Sequence, residues 1–445
     1  MIDLMEACRI GKEKALQFGA TEVEVYGRSI KEVESFLERN DIKLGKSHSH
    51  AILGIRVFKE TAMGFASLNE LTVDHIEKAV LDALKIAGMT PRDENNILPR
   101  KSSSIIHDGL YDRASEGFGA SDSLEVALEM LKTTKSYDPR VTVDSGAFNS
   151  SIFDNVICTS SGIERSERIS LFSWAIMGMA TEGAEVSSFD YQVGSTHEVR
   201  GIHATAAAKA FAENVVNSLG AKKIQSFTGG VILSPQALME LVLQTVVSSL
   251  RSDNVQKGRS KFKDRLGESV ASESLTIRDD GTNPNGPGAS SFDREGVSTS
   301  PIVLVDNGEL KSLMFNTYTA SKDGTESTGH ATGSPRSSPS VGPNNIMIDP
   351  GQISKEELIS ELEKGVLVTR FSGNTSAVSG DFSGVVKGGF LIERGEILHP
   401  IKETLVAGNV FDLLRNISAI SKEREWMESA LLPYIHVEGI SIIGG

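Results

Sequence analysis

The chain has 445 residues, 39% of them hydrophobic and 23% charged, and a formal net charge of -14. That is the composition of a folded globular protein, and at about 100–200 residues per domain the length allows two to four domains. The acidic balance excludes a basic nucleic-acid footprint and attraction to an anionic membrane surface. In chain order, the opening MIDLMEACRIGKEK mixes acidic with apolar residues, unlike a signal peptide. Residues 3–19 then predict a helix with Leu4, Ala7, Cys8, Ala15 and Phe18 near one face, stopped at Gly19. Alternation around Val23, Val25, Ile30, Val33, Phe36 and Leu37, and again around Ile52, Ile55, Val57 and Phe58, predicts strands to Ser67, broken at Asn40-Asp41 and Gly45. The segment 71–88 has helical period, with Asp74 as N-cap and Gly88 as stop.

The polar segment 89–105 carries two prolines and reads as a linker. A helix is expected at 121–135, β-structure over 140–193, and an alanine-rich helix at 201–220. The longest apolar run, LFSWAIMGMA at 171–180, falls far short of the ~20 residues a membrane span needs. From about 222 the texture changes to glycine, serine and short β-like runs. VLVDNGELKSL and LIERGEILHPI read as hairpins with Asn-Gly and Arg-Gly turns. SKEELISELEKG predicts a helix with a Ser354/Glu357 capping box, and VFDLLRNISAIS predicts another. The glycine/serine/proline tract 323–345 has no periodicity, which marks a functional or disordered loop. The expected fold class is α+β: residues 1–221 pack helices on sheet, with a sub-boundary in 89–105, and residues 222–445 form a mixed or antiparallel β-rich domain with a few helices.

The chemistry motifs fail one by one. In HEVRGIH, 197–203, the histidines are six apart and would sit roughly 240° round a helix from each other, whereas a zincin needs them one turn apart. His48 and His50 share a strand face, but no acidic ligand lies near them in sequence, and a solvent-facing strand is the expectation. GKS at 45–47 lacks the leading glycine of a P-loop, Asn40 standing there. No G-x-S-x-G elbow exists. The two cysteines, Cys8 and Cys158, make neither a disulfide framework nor a zinc ribbon, and neither has a nearby histidine to activate it. Asp279-Asp280-Gly281 is expected to be a turn.

The stretch TGGVILSPQALMELVLQTVVSS, 228–249, has the form of a catalytic platform: a short apolar strand running into a long helix. Ser234 suits the N-cap and Pro235 the first helical position. The residues that follow are apolar, so the plain reading is a buried structural helix.

The C-terminal half resembles the TldD/PmbA family in SSFDREGVSTS (290–300), STGHATG (327–333), GVLVTRFSGNTSAVSGDFSG (365–384), GGFLIERGEILHPIKETLVAGNVFDLLRNI (388–417) and LLPYIHVEGISI (431–442). Looser likeness in 2–58 and in NVICTSSGIERSERIS extends it over the chain. The resemblance implies metal-dependent peptide cleavage by two kinds of chain acting as a heterodimer. In the TldD branch a His-Glu-x-x-x-His metal motif follows the platform strand; those positions here are Ser234, Pro235 and Met239. STGHATG and SGDFSG are similar to the PmbA, or TldE, branch. The resemblance thus implies a chain with no catalytic residues and no metal or other cofactor of its own, zinc being held by a TldD-type partner. Unfolded proteins or precursor peptides would be the substrates, and the location cytoplasmic. Thr328, His330, Asp381, Gly408 and Asn409 are the candidate substrate contacts, with turn geometry as the plainer role for each. Two alternatives stand beside this: an autonomous hydrolase with an unrecognised site, for which His330 with Asp381 is one candidate pair, and a non-catalytic homodimeric peptide-binding protein.

Overall fold

The computed structural model describes residues 2–100 and 105–445. Helix takes 25% of the chain and strand 41%, in an α+β arrangement. Helix α1 (Leu4–Gln17) leads into β1 (Glu22–Glu38), β2 (Asp41–Lys59), β3 (Ala62–Leu68) and α2 (Val73–Ala87). After the 89–105 segment, of which 101–104 lie outside the described residues, come α3 (Ala120–Tyr137), β4 (Val141–Thr159), β5 (Glu164–Glu182), β6 (Glu185–Val186), β7 (Asp190–Thr196) and α4 (Ala204–Asn217). The strands form one antiparallel sheet in the order β3-β2-β1-β4-β5, with β6 and β7 both paired to β5.

Residues alternate across a strand, and β1 uses both faces. Val23 and Val25 pack with Ala7, Cys8, Ile76 and Val80 of α1 and α2, while Leu37 packs with Met130 and Phe211 of α3 and α4. On the other face Glu24 and Tyr26 are buried against the C-terminal half, and Ile30, Glu32, Glu34 and Phe36 are only partly covered.

The second sheet has 13 strands and begins with β8 (Phe227–Leu233). Its spine is the C-terminal strand Ala430–Ile443, which pairs with Ile346–Ile348, β8, Leu405–Asn409 and Ile417–Met427 along different parts of its length. The helix that follows β8 closes the main core through Leu238, Leu241, Val242 and Val246 against Ile277, Leu304, Leu413 and Leu432. Both anticipated hairpins form, with Asn307-Gly308 and Arg394-Gly395 at positive φ as a two-residue primed turn requires. The Ser354/Glu357 capping box is also present.

Several expectations need correcting. β1 and β2 are not short pieces: Gly45 lies inside β2, and the single break is a two-residue turn in which Arg39 and Asn40 take φ of 51° and 63°. Alternation reports the face of a residue, not the length of a strand. Phe18 is exposed beyond the end of α1. Thr72, not Asp74, caps α2, because its Oγ1 accepts the His75 N–H. In VFDLLRNISAIS only Val410–Arg415 is helical; the β-branched run from Ile417 joins the spine as a strand. The 323–345 tract, expected to be a functional or disordered loop, makes defined contacts: it opens on the end of helix Thr317–Asp323, its residues Ala331–Thr332 pair with Ser340–Val341, and its Pro335 carbonyl lies over Gly54 so closely that a Cβ there would sit 2.3 Å from the oxygen.

Candidate functional site

The platform is built by close backbone approach. Gly230 of β8 pairs in parallel with Gly365, where a Cβ would meet the Gly230 carbonyl at 2.2 Å. Val231, Ile232 and Leu233 are thereby buried between Gly365–Val368 and the spine. Ser234 ends the strand. Its N–H donates to Val368 O at 3.0 Å, its Oγ donates to Thr369 O at 2.6 Å, and the same Oγ accepts the Ala237 N–H at 3.1 Å as helix N-cap. Pro235 occupies the first helical position, and the helix widens into a π turn over Met239–Leu243 before resuming to Leu250. Such widened turns are frequent at functional sites.

No metal donor set fits this corner. The single hydroxyl of Ser234 is spent on two backbone partners, Pro235 has no donor atom, and a thioether such as Met239 prefers soft ions. The nearby carboxylate of Glu240 accepts the Arg370 Nε–H at 3.1 Å and the Phe371 N–H at 2.5 Å. Arg370 in turn donates to Phe189 O at 2.6 Å and lies 4.5 Å above the Tyr191 ring, while Gln236 donates to Tyr191 O at 3.1 Å. Burial, together with Glu240, pushes the Tyr191 phenol up to about 12. The corner is therefore bolted to β7 of the first sheet. Ser234 and Pro235 start the helix, and Met239, the first residue of the π turn, packs against the main core.

The other candidates separate into two groups. His330 and Asp279 are wholly buried, with His330 Nε2 3.1 Å from Asp279 Oδ1 and Nδ1 2.8 Å from both Oγ1 and O of Thr328. Asn344 donates its N–H and Nδ2 to Asp279 at 2.9 and 3.0 Å, and Thr328 Oγ1 accepts the Phe315 N–H at 2.8 Å. Asp381 lies elsewhere, at an exposed hairpin: Asn409 Nδ2 donates to it at 2.8 Å, Ser379 Oγ likewise at 2.8 Å, and Asn409 Oδ1 caps the helix Val410–Arg415. The Asn409 and Ser379 hydrogen bonds hold the Asp381 carboxyl below its ordinary range. Gly408 pairs with Phe382 on the same two strands. His330 is thus partnered by Asp279 and Asp381 by Asn409, so the His330/Asp381 dyad of the autonomous-hydrolase alternative is not assembled.

Sequence reasoning missed the junction between the two halves. There a 330 Å³ cavity is lined by Tyr26, Arg28, Phe153 and Glu167 of the first sheet and by Arg294 and Asn344 of the second half. Arg28 Nε donates to Asn155 at 2.7 Å, and Glu167 accepts Ser290 Oγ at 2.6 Å and the Ser291 N–H at 2.8 Å. Beside it, Glu24 is gripped by Arg56 and, at 2.7 Å, by Arg294, and Arg56 reaches Glu295 at 2.8 Å. Burial would raise the Glu24 carboxyl, but Arg56 and Arg294 overcome it and hold it below its ordinary value. For Asp293, burial, then the nearby Glu295 charge, push the carboxyl up to about 7 despite three backbone N–H donors. His197 of HEVRGIH is buried here too, 2.6 Å from Ser170 O and 3.2 Å from Gly286 O. Pairings between residues more than a hundred positions apart leave no local signal.

With this geometry in hand, three family models match: PmbA/TldA metallopeptidase domain 1 over residues 23–87, the central domain over 115–221 and the C-terminal domain over 228–444. The chain belongs to the PmbA/TldD metallopeptidase family. Metalloprotease PmbA of Escherichia coli O157:H7 is 27% identical, the match covering 88% of this chain and 86% of that one. A TldD homolog of Buchnera aphidicola is also 27% identical, over 87% and 82%. TldE from Thermococcus kodakarensis shares the fold at a TM-score of 0.90 and 23% identity, over 99% of both chains.

Proposed function

We propose that this chain is the non-metal subunit of a TldD–TldE-like heterodimeric metallopeptidase acting on unfolded proteins or precursor peptides. The observation that carries this is the platform: its strand, cap and π-turned helix are intact, yet every polar atom at Ser234 and Glu240 is committed to backbone or to Arg370. Hydrolysis then requires a TldD-type partner that holds the zinc, and this chain completes the substrate chamber. A β-rich domain with glycine-rich edges suits pairing with an extended peptide through main-chain bonds; Asp381, Gly408 and Asn409 lie at one end of two inner strands of that domain, beside its edge strand Arg370–Thr375. A homodimer is the assembly open to the chain in the absence of that partner. Among the described residues no helix is long and apolar enough to cross a membrane. Cys8 and Cys158 are buried as free thiols within reach of each other, which fits a reducing cytoplasm.

The test is to purify the chain alone and together with a TldD-type protein from the same source, and to measure cleavage of an unfolded substrate. Activity is expected only in the mixture. Equal activity in the isolated chain would overturn the reading, as would failure of the two chains to associate.

A further inference from the structure

The long β1–β2 hairpin places a second set of donor atoms far from the platform. Register sets Glu32 opposite His48, Glu34 opposite Lys46 and Ile30 opposite His50 on one face. One ligand atom from each of Glu32, Glu34 and His48 lies within 4.8 Å of the others, the spread that a single divalent ion spans. His48 Nε2 is 3.3 Å from Glu32 Oε2, and Nδ1 is 3.7 Å from Glu34 Oε2.

The set is supported from the neighbouring strand. Ser151, paired with Glu32 in β4, donates its hydroxyl to Glu32 Oε1 at 3.0 Å and leaves Oε2 turned to the histidine. Such outer partners orient carboxylate ligands. Asn149, paired with Glu34, has a solvent-shielded Oδ1 that accepts no hydrogen bond. His50 stacks parallel on His48 with ring centroids 5.6 Å apart, so a second imidazole stands at the rim. One cation already competes: Lys46 Nζ lies 2.7 Å from Glu34 Oε2, on a half-exposed stem that can swing into water.

The geometry points to a divalent transition-metal site at Glu32, Glu34 and His48, with imidazole nitrogen and carboxylate oxygens suited to zinc or a similar borderline ion. The ion would staple the free length of the hairpin, and it would require neutral His48. This assignment is independent of the reading of the platform.

The experiment titrates zinc chloride into the purified full-length chain by calorimetry near neutral pH. One saturable equivalent is expected, weakened roughly tenfold or more by His48→Ala or Glu32→Gln. Lys46→Met removes the competing ammonium and tightens binding, an effect that a purely structural ion-pair ladder does not produce. The double variant Ser234→Ala/Met239→Ala leaves binding unchanged. The inference is overturned if no saturable binding occurs, or if His48→Ala and Glu32→Gln bind as the wild type does. Loss of zinc in the platform double variant instead would overturn both this site and the proposed function, whereas loss in His48→Ala leaves the platform reading intact.

Discussion

The two sheets solve the same problem in opposite ways. The first uses four strands of 17 to 19 residues, each hydrogen-bonded to its neighbour in sequence or nearly so, with four helices on one face. The second assembles many strands of two to seven residues around one 14-residue spine, with parallel and antiparallel pairs mixed. The first sheet carries its charges on an uncovered or junctional face; the second spends most of its residues on an apolar core. The teaching is that the polar chemistry of this protein collects where the sheets meet and where the first is bare, while the Ser234 corner is part of the packing.

The largest expected effect tests the junction. Arg56 is 5% exposed and holds two buried carboxylates, Glu24 and Glu295. Removing one member of such a set leaves uncompensated charge and costs about 3–5 kcal/mol, so Arg56→Ala should lower the urea midpoint steeply. An unchanged midpoint would mean that the two halves are held by something other than these ions.

The next effect is pH dependence at the same place. Asp293 binds a proton more tightly when folded, at about 7, than its ordinary 3.8. The folded state therefore keeps a proton that the unfolded chain releases, and stability falls as pH rises from 3.8 toward 7, then levels off. Glu24 works in the opposite sense, below its ordinary 4.5, while burial raises the carboxyls of Asp190 and Glu22 and adds to the Asp293 slope in the same sense. Urea unfolding at stepped pH should show the combined slope, and Asp293→Asn should reduce it.

A smaller loss is expected at the platform. Ser234→Ala removes the cap and the bond to Thr369, worth about 1–2 kcal/mol. A variant as stable as the wild type would make the corner less closed than its hydrogen bonds indicate. The smallest effect separates two candidate caps in the first half: Thr72→Ala should cost about 1 kcal/mol, and Asp74→Ala a few tenths.

Much of the fold could be read from local pattern. The helices, the Asn307-Gly308 and Arg394-Gly395 turns and the Ser234-Pro235 helix start all follow from residues within one or two turns of each other. What stayed hidden depends on register. His48 showed no acidic neighbour in the sequence because Glu32 reaches it across a hairpin whose length alternation does not reveal. Asp279 and His330 find each other across a loop, and Arg56 finds Glu295 across the whole molecule. Ile417 passed for helix because its pairing with Val437 is not written locally.

The aperiodic tract at 323–345 has one further consequence. It rests on Gly54, offers the Ser337 carbonyl to Arg294 at 3.5 Å, and hands the Ala331 amide to Asp293. Of these contacts only that of Pro335 with Gly54 crosses the seam; the other two fasten the tract to Asp293 and Arg294 of its own half, and Arg294 in turn holds Glu24 of the other, so severing the backbone near 222 would not by itself free one half from the other. Expressed as a separate fragment, the first half would instead bare Glu24 and Arg56 to water on a surface shaped for another body, and should recover its native form only when the missing fragment is added back.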